Sequence, residues 1–168
     1  MQDKEINNPL DFTDIFRLPE TGRLVGVDPG TKRFGLAVTD ELQVTARPLA
    51  TIERTGWKKL LVKIKEMLAE LDAVGLVIGL PYNFDGSESE MSHEARRLAR
   101  NFALSLAVPV ALQDERATTY EARGRLWHEG ASDKRIRATL DSEAAAVILR
   151  DFLARREEMK ARGKAGKE

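Results

Sequence analysis

The sequence predicts an α/β domain built on a mixed sheet. Three observations predict it. Apolar runs too short for helices recur at Leu24–Val27, Ala73–Ile78 and Val108–Leu112. Between and after them, apolar residues return at helical spacing. The first run is followed at once by a second, Phe34–Thr39, across a short loop containing Pro29 and Gly30, the pattern of a hairpin.

In chain order, Leu24–Asp28 and Phe34–Thr39 pair as antiparallel strands, and a third strand is expected around Arg47–Ile52. Trp57, Leu60, Leu61, Ile64, Met67, Leu68 and Leu71 mark an amphipathic helix. Ala73–Ile78 is apolar throughout, as a strand covered on both faces must be. Met91, Ala95, Leu98, Ala99, Phe102 and Leu106 mark the second helix, with Ser87 and Glu90 as an expected capping box at its start. Val108–Gln113 is the next buried strand. Helices from about Thr118 to Glu129 and from about Asp133 to Arg156 complete the order β-β-β-α-β-α-β-α-α. The sheet is thus expected to have five strands, an antiparallel meander of three followed by parallel strands. Residues 1–21 read as a flexible or loosely docked extension, 22–155 as the domain, and 156–168 as a charged tail.

Composition narrows the chemistry. The chain has 168 residues, no cysteine, two histidines and a formal net charge of zero. Disulfides, thiolate metal sites and cysteine nucleophiles are excluded. A metal would be held by oxygen, which favours Mg2+ or Mn2+. No apolar stretch is long enough to span a membrane, and the acidic N-terminus is unlike a signal peptide. A cytoplasmic protein is expected.

Carboxylates stand at the ends of core elements, where they are costly unless something pairs with them. Asp28 ends the first strand and opens Asp28-Pro29-Gly30-Thr31-Lys32-Arg33-Phe34-Gly35. That is the carboxyl edge of the sheet, where α/β folds bind ligands. Lys32 and Arg33 place positive charge beside it. Gly79-Leu80-Pro81, continuing to Asp85-Gly86-Ser87, leaves a buried strand at the same edge; Tyr82, Asn83 and Phe84 are weak candidates there for contact with a base or sugar. Asp114 and Glu115 follow the next strand. Strand side chains alternate, so one of this pair faces the site and the other does not; alternation alone leaves open which. Asp141 lies within about 40° of Ala145, Ile148 and Phe152 on a 3.6-residue wheel, in the middle of the apolar stripe of the last helix. Lys134 and Arg137 precede it on that stripe. Three carboxylates that could converge point to a divalent-metal site and phosphate chemistry. The competing readings are a turn at Asp28, a solvated loop at Asp114–Glu115 and a structurally paired Asp141.

These segments together resemble the YqgF/RuvX family, described as Holliday-junction resolvases or pre-16S rRNA processing nucleases of RNase H-like fold. The resemblance rests on Asp28–Ala37, Arg47-Pro48-Leu49, Gly79-Leu80-Pro81 with Asp85-Gly86-Ser87, Asp114-Glu115-Arg116 with Thr118–Ala122, and Asp141–Ala145, in family order. It implies a metal-dependent phosphodiester hydrolase with Asp28, Glu115 (Asp114 as alternate) and Asp141 as the catalytic and Mg2+- or Mn2+-binding carboxylates. Lys32, Arg33, Arg116 and Arg137 become candidates for holding the phosphate backbone. The implied substrate is nucleic acid, most directly the 5′ end of pre-16S rRNA, with branched DNA at a Holliday junction as the alternative. A monomer or weak homodimer is expected. Two other classes compete. A sugar-kinase or actin-like ATPase shares the Asp-x-Gly-Thr turn but needs two such domains. A nucleic-acid-binding assembly or transcription factor would keep the fold without the chemistry.

Overall fold

The computed structural model describes residues 12, 14–115 and 134–166. Its architecture is α/β, as expected: one mixed sheet with helices on both faces. The strands are β1 (Arg23–Pro29), β2 (Arg33–Thr39), β3 (Ala46–Pro48), β4 (Ile52–Glu53), β5 (Ala73–Leu80) and β6 (Val110–Asp114). The helices are α1 (Trp57–Glu70), α2 (Glu90–Ser105) and α3 (Lys134–Ala165). The sheet order is β3-β2-β1-β5-β6, with β4 also on β2. β1 and β2 are antiparallel, and β5 and β6 run parallel to β1.

The expected third strand is broken in two. Ala46–Pro48 pairs with residues 37–39 of β2, and Ile52–Glu53 pairs with Arg33 and Phe34. Pro48 donates no backbone hydrogen bond and is tolerated because this is the sheet edge. The gap between the two pieces is where α3 is tied down, its Ser142 hydroxyl donating to the Leu49 carbonyl at 2.5 Å.

Alternation along the strands divides the core. Val25, Val27, Phe34, Leu36, Leu76, Ile78, Val110 and Leu112 pack beneath α1 and α2. Helix α1 contributes Leu60, Ile64 and Leu68, one residue per turn. On the other face Leu24, Ala37, Val77 and Ala111 meet Ala145, Ile148, Leu149 and Phe152 of α3. That face is lined by small residues, so α3 lies close to the sheet. A Cβ on Gly26 would stand 2.6 Å from Leu149 Cγ and 3.0 Å from the Ala145 carbonyl.

Two expectations are corrected. Helix α2 is capped by Ser89, not Ser87. The Ser92 amide donates to Ser89 Oγ at 3.3 Å, and the Ser89 amide donates to Ser92 Oγ at 2.9 Å. Helix α3 runs on to Ala165, so the segment 156–168 is not a tail from its start. The pair Arg162–Glu158 supports this extension at i,i+4 spacing. Part of the N-terminal extension is docked: Ile15 and Leu18 are buried, and Leu112 of β6 donates to the Phe12 carbonyl at 2.9 Å. Gln43, in a left-handed conformation at φ 55°, joins both ends. It donates to the carbonyls of Pro19 (2.9 Å) and Gly22 (2.8 Å) and accepts from Arg156. Burial lowers the Arg156 pKa from the usual arginine value. The helix expected from Thr118 to Glu129 lies outside the described residues.

Candidate metal centre at the carboxyl edge of the sheet

Asp28 occupies the α3 side of β1, in alternation with Leu24 and Gly26, and is only 2 % exposed. Its neighbours across the sheet have no side chains. Gly35 is its partner in β2. On the other side, Val27 pairs with Ile78, so the next step sets Asp28 beside Gly79. The space above each glycine is taken by a candidate residue. A Cβ on Gly35 would lie 1.8 Å from the Asp141 carbonyl oxygen and 3.2 Å from its Cα. One on Gly79 would lie 2.6 Å from Glu115 Cδ and 2.8 Å from its Oε1. The backbone of Asp141 and the carboxylate of Glu115 therefore stand on either side of Asp28, each seated over a glycine.

Alternation in β6 separates Asp114 from Glu115. Ala111 and Gln113 face α3, whereas Val110 and Leu112 face α1 and α2. Asp114 follows the second set, pairing with Leu80, and is half-buried. Glu115 follows the first, is 9 % exposed and is fixed by its amide donating to the Leu80 carbonyl at 3.1 Å. Of the two acids, the carboxylate beside Gly79 and α3 is that of Glu115.

Asp141 is half-buried, and its Oδ2 lies 3.3 Å from Arg33 Nε. Both partners are shielded, at 12 % and 24 % side-chain exposure, so the pair is weakly screened. Among the described residues no three acidic or histidine side chains already converge on one ion position. The donor chemistry nonetheless fits a hard divalent cation, since all three side chains are carboxylates. Asp141 already holds a positive group, which an ion would have to displace. Lys32 is exposed in the turn, and Arg137 is exposed one helical turn before Asp141. Arg116 lies outside the described residues.

Arg54 is a residue that sequence reasoning missed. Its Nε donates to the Gly30 carbonyl at 3.1 Å, and its amide donates to the Lys32 carbonyl at 2.9 Å. Its guanidinium lies over the Phe34 ring at 4.8 Å and pairs with Glu94 of α2. Arg54 thus fixes the turn that carries Lys32 and Arg33. No local spacing signals this role, because Arg54 reaches the turn only through the pairing of β4 with β2.

Known proteins resemble the chain as follows. The family described as "RuvX: Holliday junction resolvase" matches residues 22–155. A protein of Cereibacter sphaeroides named "Putative pre-16S rRNA nuclease" is 43% identical over 138 residues, 82% of this chain and 86% of its own length. A protein of the same name from Anaeromyxobacter dehalogenans is 43% identical over 134 residues, 80% and 98% of the two lengths. Among solved structures, the T. thermophilus RuvC in complex with Holliday junction substrate aligns at TM-score 0.47 and 18% identity, covering 81% of this chain and 96% of its own. The yeast mitochondrial Holliday junction resolvase Ydc2 also aligns at TM-score 0.47, at 12% identity over 90% of each chain.

Proposed function

The chain belongs to the RuvX family, and from that premise we propose that it is a divalent-metal-dependent nuclease that hydrolyses phosphodiester bonds at the 5′ end of pre-16S rRNA. The observation that carries the reading is the buried Asp28 set between Gly35 and Gly79, with Asp141 and Glu115 seated over those glycines. The names of the similar proteins support the substrate.

Asp28, Glu115 and Asp141 are the residues that would hold Mg2+ or Mn2+, with Asp114 turned to the opposite face. When bound, the metal would supply Lewis acidity to ready a water and to offset charge on the leaving oxygen. The chain's own contributions are positional. The strand backbone fixes Asp28, so its carboxylate pays little ordering cost on binding. Gly35 lets the Asp141 turn of α3 sit against β2. Arg33 neutralises Asp141 in the resting site and then becomes free for a phosphate oxygen. Lys32 and Arg137 add exposed positive charge on the approach. Contacts of this kind supply affinity and orientation without reading sequence.

The description attached to the matching family favours a second reading, a Holliday junction resolvase. Two symmetric cuts would require a dimer, whereas 5′-end processing requires only a monomer. One experiment separates them. The purified chain with Mn2+ is offered a 5′-extended 16S precursor and a four-way DNA junction in parallel, with its mass in solution measured alongside. Cleavage of the RNA by a monomer is expected; symmetric junction cutting by a dimer establishes the second reading. Asp28→Asn should reduce cleavage to background while RNA binding persists, and unchanged cleavage would sink the metal-site assignment.

A further inference from the structure

The exposed face of α1 carries charge in an order that helix stability disfavours. Lys58 and Lys59 stand in its first turn, Lys63 and Lys65 follow, and the acids Glu66 and Glu70 come only towards its end. The helix dipole favours acids at the start and cations at the end, the reverse of this order. Lys59 and Lys63 are like charges at i,i+4 spacing, as are Glu66 and Glu70, and such pairs are unfavourable. All four lysines are exposed. Among the described residues no acid pairs with any of them. By contrast, Arg96 and Arg97 of α2 pair with Glu88 and Glu94, and Lys160 and Arg162 of α3 pair with Glu157 and Glu158. In a chain with a formal net charge of zero, residues 54–65 hold five cations and no acid.

The placement of α1 gives this charge a direction. Arg54 donates to the Gly30 carbonyl in the turn that carries Lys32 and Arg33. Lys58 is four residues further on, at most about 14 Å away. The helix then runs to the opposite edge of the sheet, where Ala73 opens β5 beside Arg23 at the start of β1. From Lys58 to Lys65 it rises about 10 Å. The lysines thus continue the positive charge of Lys32 away from the candidate site. Ammonium groups without partners suit a phosphate backbone. A lipid surface is a poorer match, because Leu60, Ile64 and Leu68 are buried against the sheet and Val62, 53 % exposed, leaves little apolar surface to insert. We propose that this face of α1 is a track for the nucleic-acid strand beyond the scissile phosphate, holding its backbone without reading its sequence. The inference rests on the nuclease reading above.

The test uses the full chain carrying Asp28→Asn, so that RNA survives, with a 5′-extended 16S precursor as the probe. Filter binding across a salt series compares Lys59→Gln/Lys63→Gln with Arg162→Gln/Lys164→Gln, which removes the same charge from the exposed far end of α3. Lys59 and Lys63 are exposed, so their exchange leaves the core intact. It should lower the slope of log affinity against log salt by about 1.5, and so cost about 30-fold more affinity at about 0.1 M salt than at about 1 M. The α3 exchange should match the parent in both. An α1 exchange that matches the parent, or an α3 exchange that loses as much as the α1 exchange, overturns the track while the nuclease reading stands. So does an α1 exchange that keeps its RNA affinity but loses retention on vesicles of anionic phospholipid. A parent that binds no RNA, in a chain whose wild type cleaves none, overturns both.

Discussion

Replacing Gly35 with alanine tests the candidate site at its tightest contact. The new Cβ would sit 1.8 Å from the Asp141 carbonyl oxygen, and separations under 3.0 Å essentially do not occur. The obstruction is helix backbone, so no rotamer change relieves it. Either α3 or β2 must retreat by about 1.2 Å or more to restore a 3.0 Å contact. Overpacking of this kind costs about 1–3 kcal/mol, which for a domain of this size lowers the melting temperature by about 2–12 °C. The effect on rate is expected to be larger. A misplacement of about 1 Å near reacting groups costs on the order of 100-fold, and here it moves Asp141 relative to Asp28. Gly26→Ala is the control. It also crowds α3, against Leu149 and Ala145, but further from the carboxylates. Both variants should melt lower than wild type. At a temperature where each is folded by circular dichroism, Gly35→Ala should cleave about 100-fold more slowly, and Gly26→Ala within a few-fold of wild type. A Gly35→Ala rate within two-fold of wild type would refute the placement of Asp141 as a working part of the site.

Other outcomes follow from named contacts. Arg33→Gln should lower the slope of log affinity for nucleic acid against log salt concentration by about one, as loss of one phosphate contact requires; filter binding across a salt series measures it. Arg156→Ala removes the donor to Gln43 Oε1, leaving that buried acceptor unmet, and should destabilise by about 1–3 kcal/mol in urea titrations. The exposed pair Glu20–Lys160 has a defined pH window. Glu20 lies below the ordinary glutamate value, chiefly through its hydrogen bond from Lys160, and Lys160 lies above the ordinary lysine value for the reciprocal reason. The Glu20 contribution is therefore present above its unfolded pKa of about 4.5 and lost as pH falls through the lowered value; the Lys160 contribution is present below about 10.5 and lost as pH rises through the raised value. Melting curves of wild type and Glu20→Gln should run parallel at neutral pH and converge in acid.

Much of the fold was legible because both periodicities were clean. Leu60, Ile64 and Leu68 repeat once per turn, and Leu24–Val27 of β1 and the whole of β5 are apolar without a break. Asp141 was legible on the same basis, as a carboxylate in the middle of an apolar helical stripe. Glu115 was not. Its strand is apolar on both faces, so nothing in Val108–Leu112 says which face meets α3; Ala111 against Ala145 and Ile148 answers that only in three dimensions. The roles of Gly35 and Gly79 were hidden for a related reason. A glycine in a strand says that something approaches closely, but not what. At the ends of the chain, charge masked structure. Ile15 and Leu18 stand among acids, and the second half of α3 is so rich in Arg, Lys and Glu that it read as solvated chain.

Asp28, Glu115 and Asp141 lie far apart along the polypeptide and become neighbours only where α3 closes onto β2 over Gly35. During synthesis, β1 with Asp28 emerges first and the Asp141 turn of α3 last. A ribosome-bound chain lacking that turn has two of the acids and no means of supplying the third. If these acids form the proposed metal centre, assembly in this order would keep it silent while its own messenger and ribosome are within reach, and a product truncated before α3 would be expected to lack the activity.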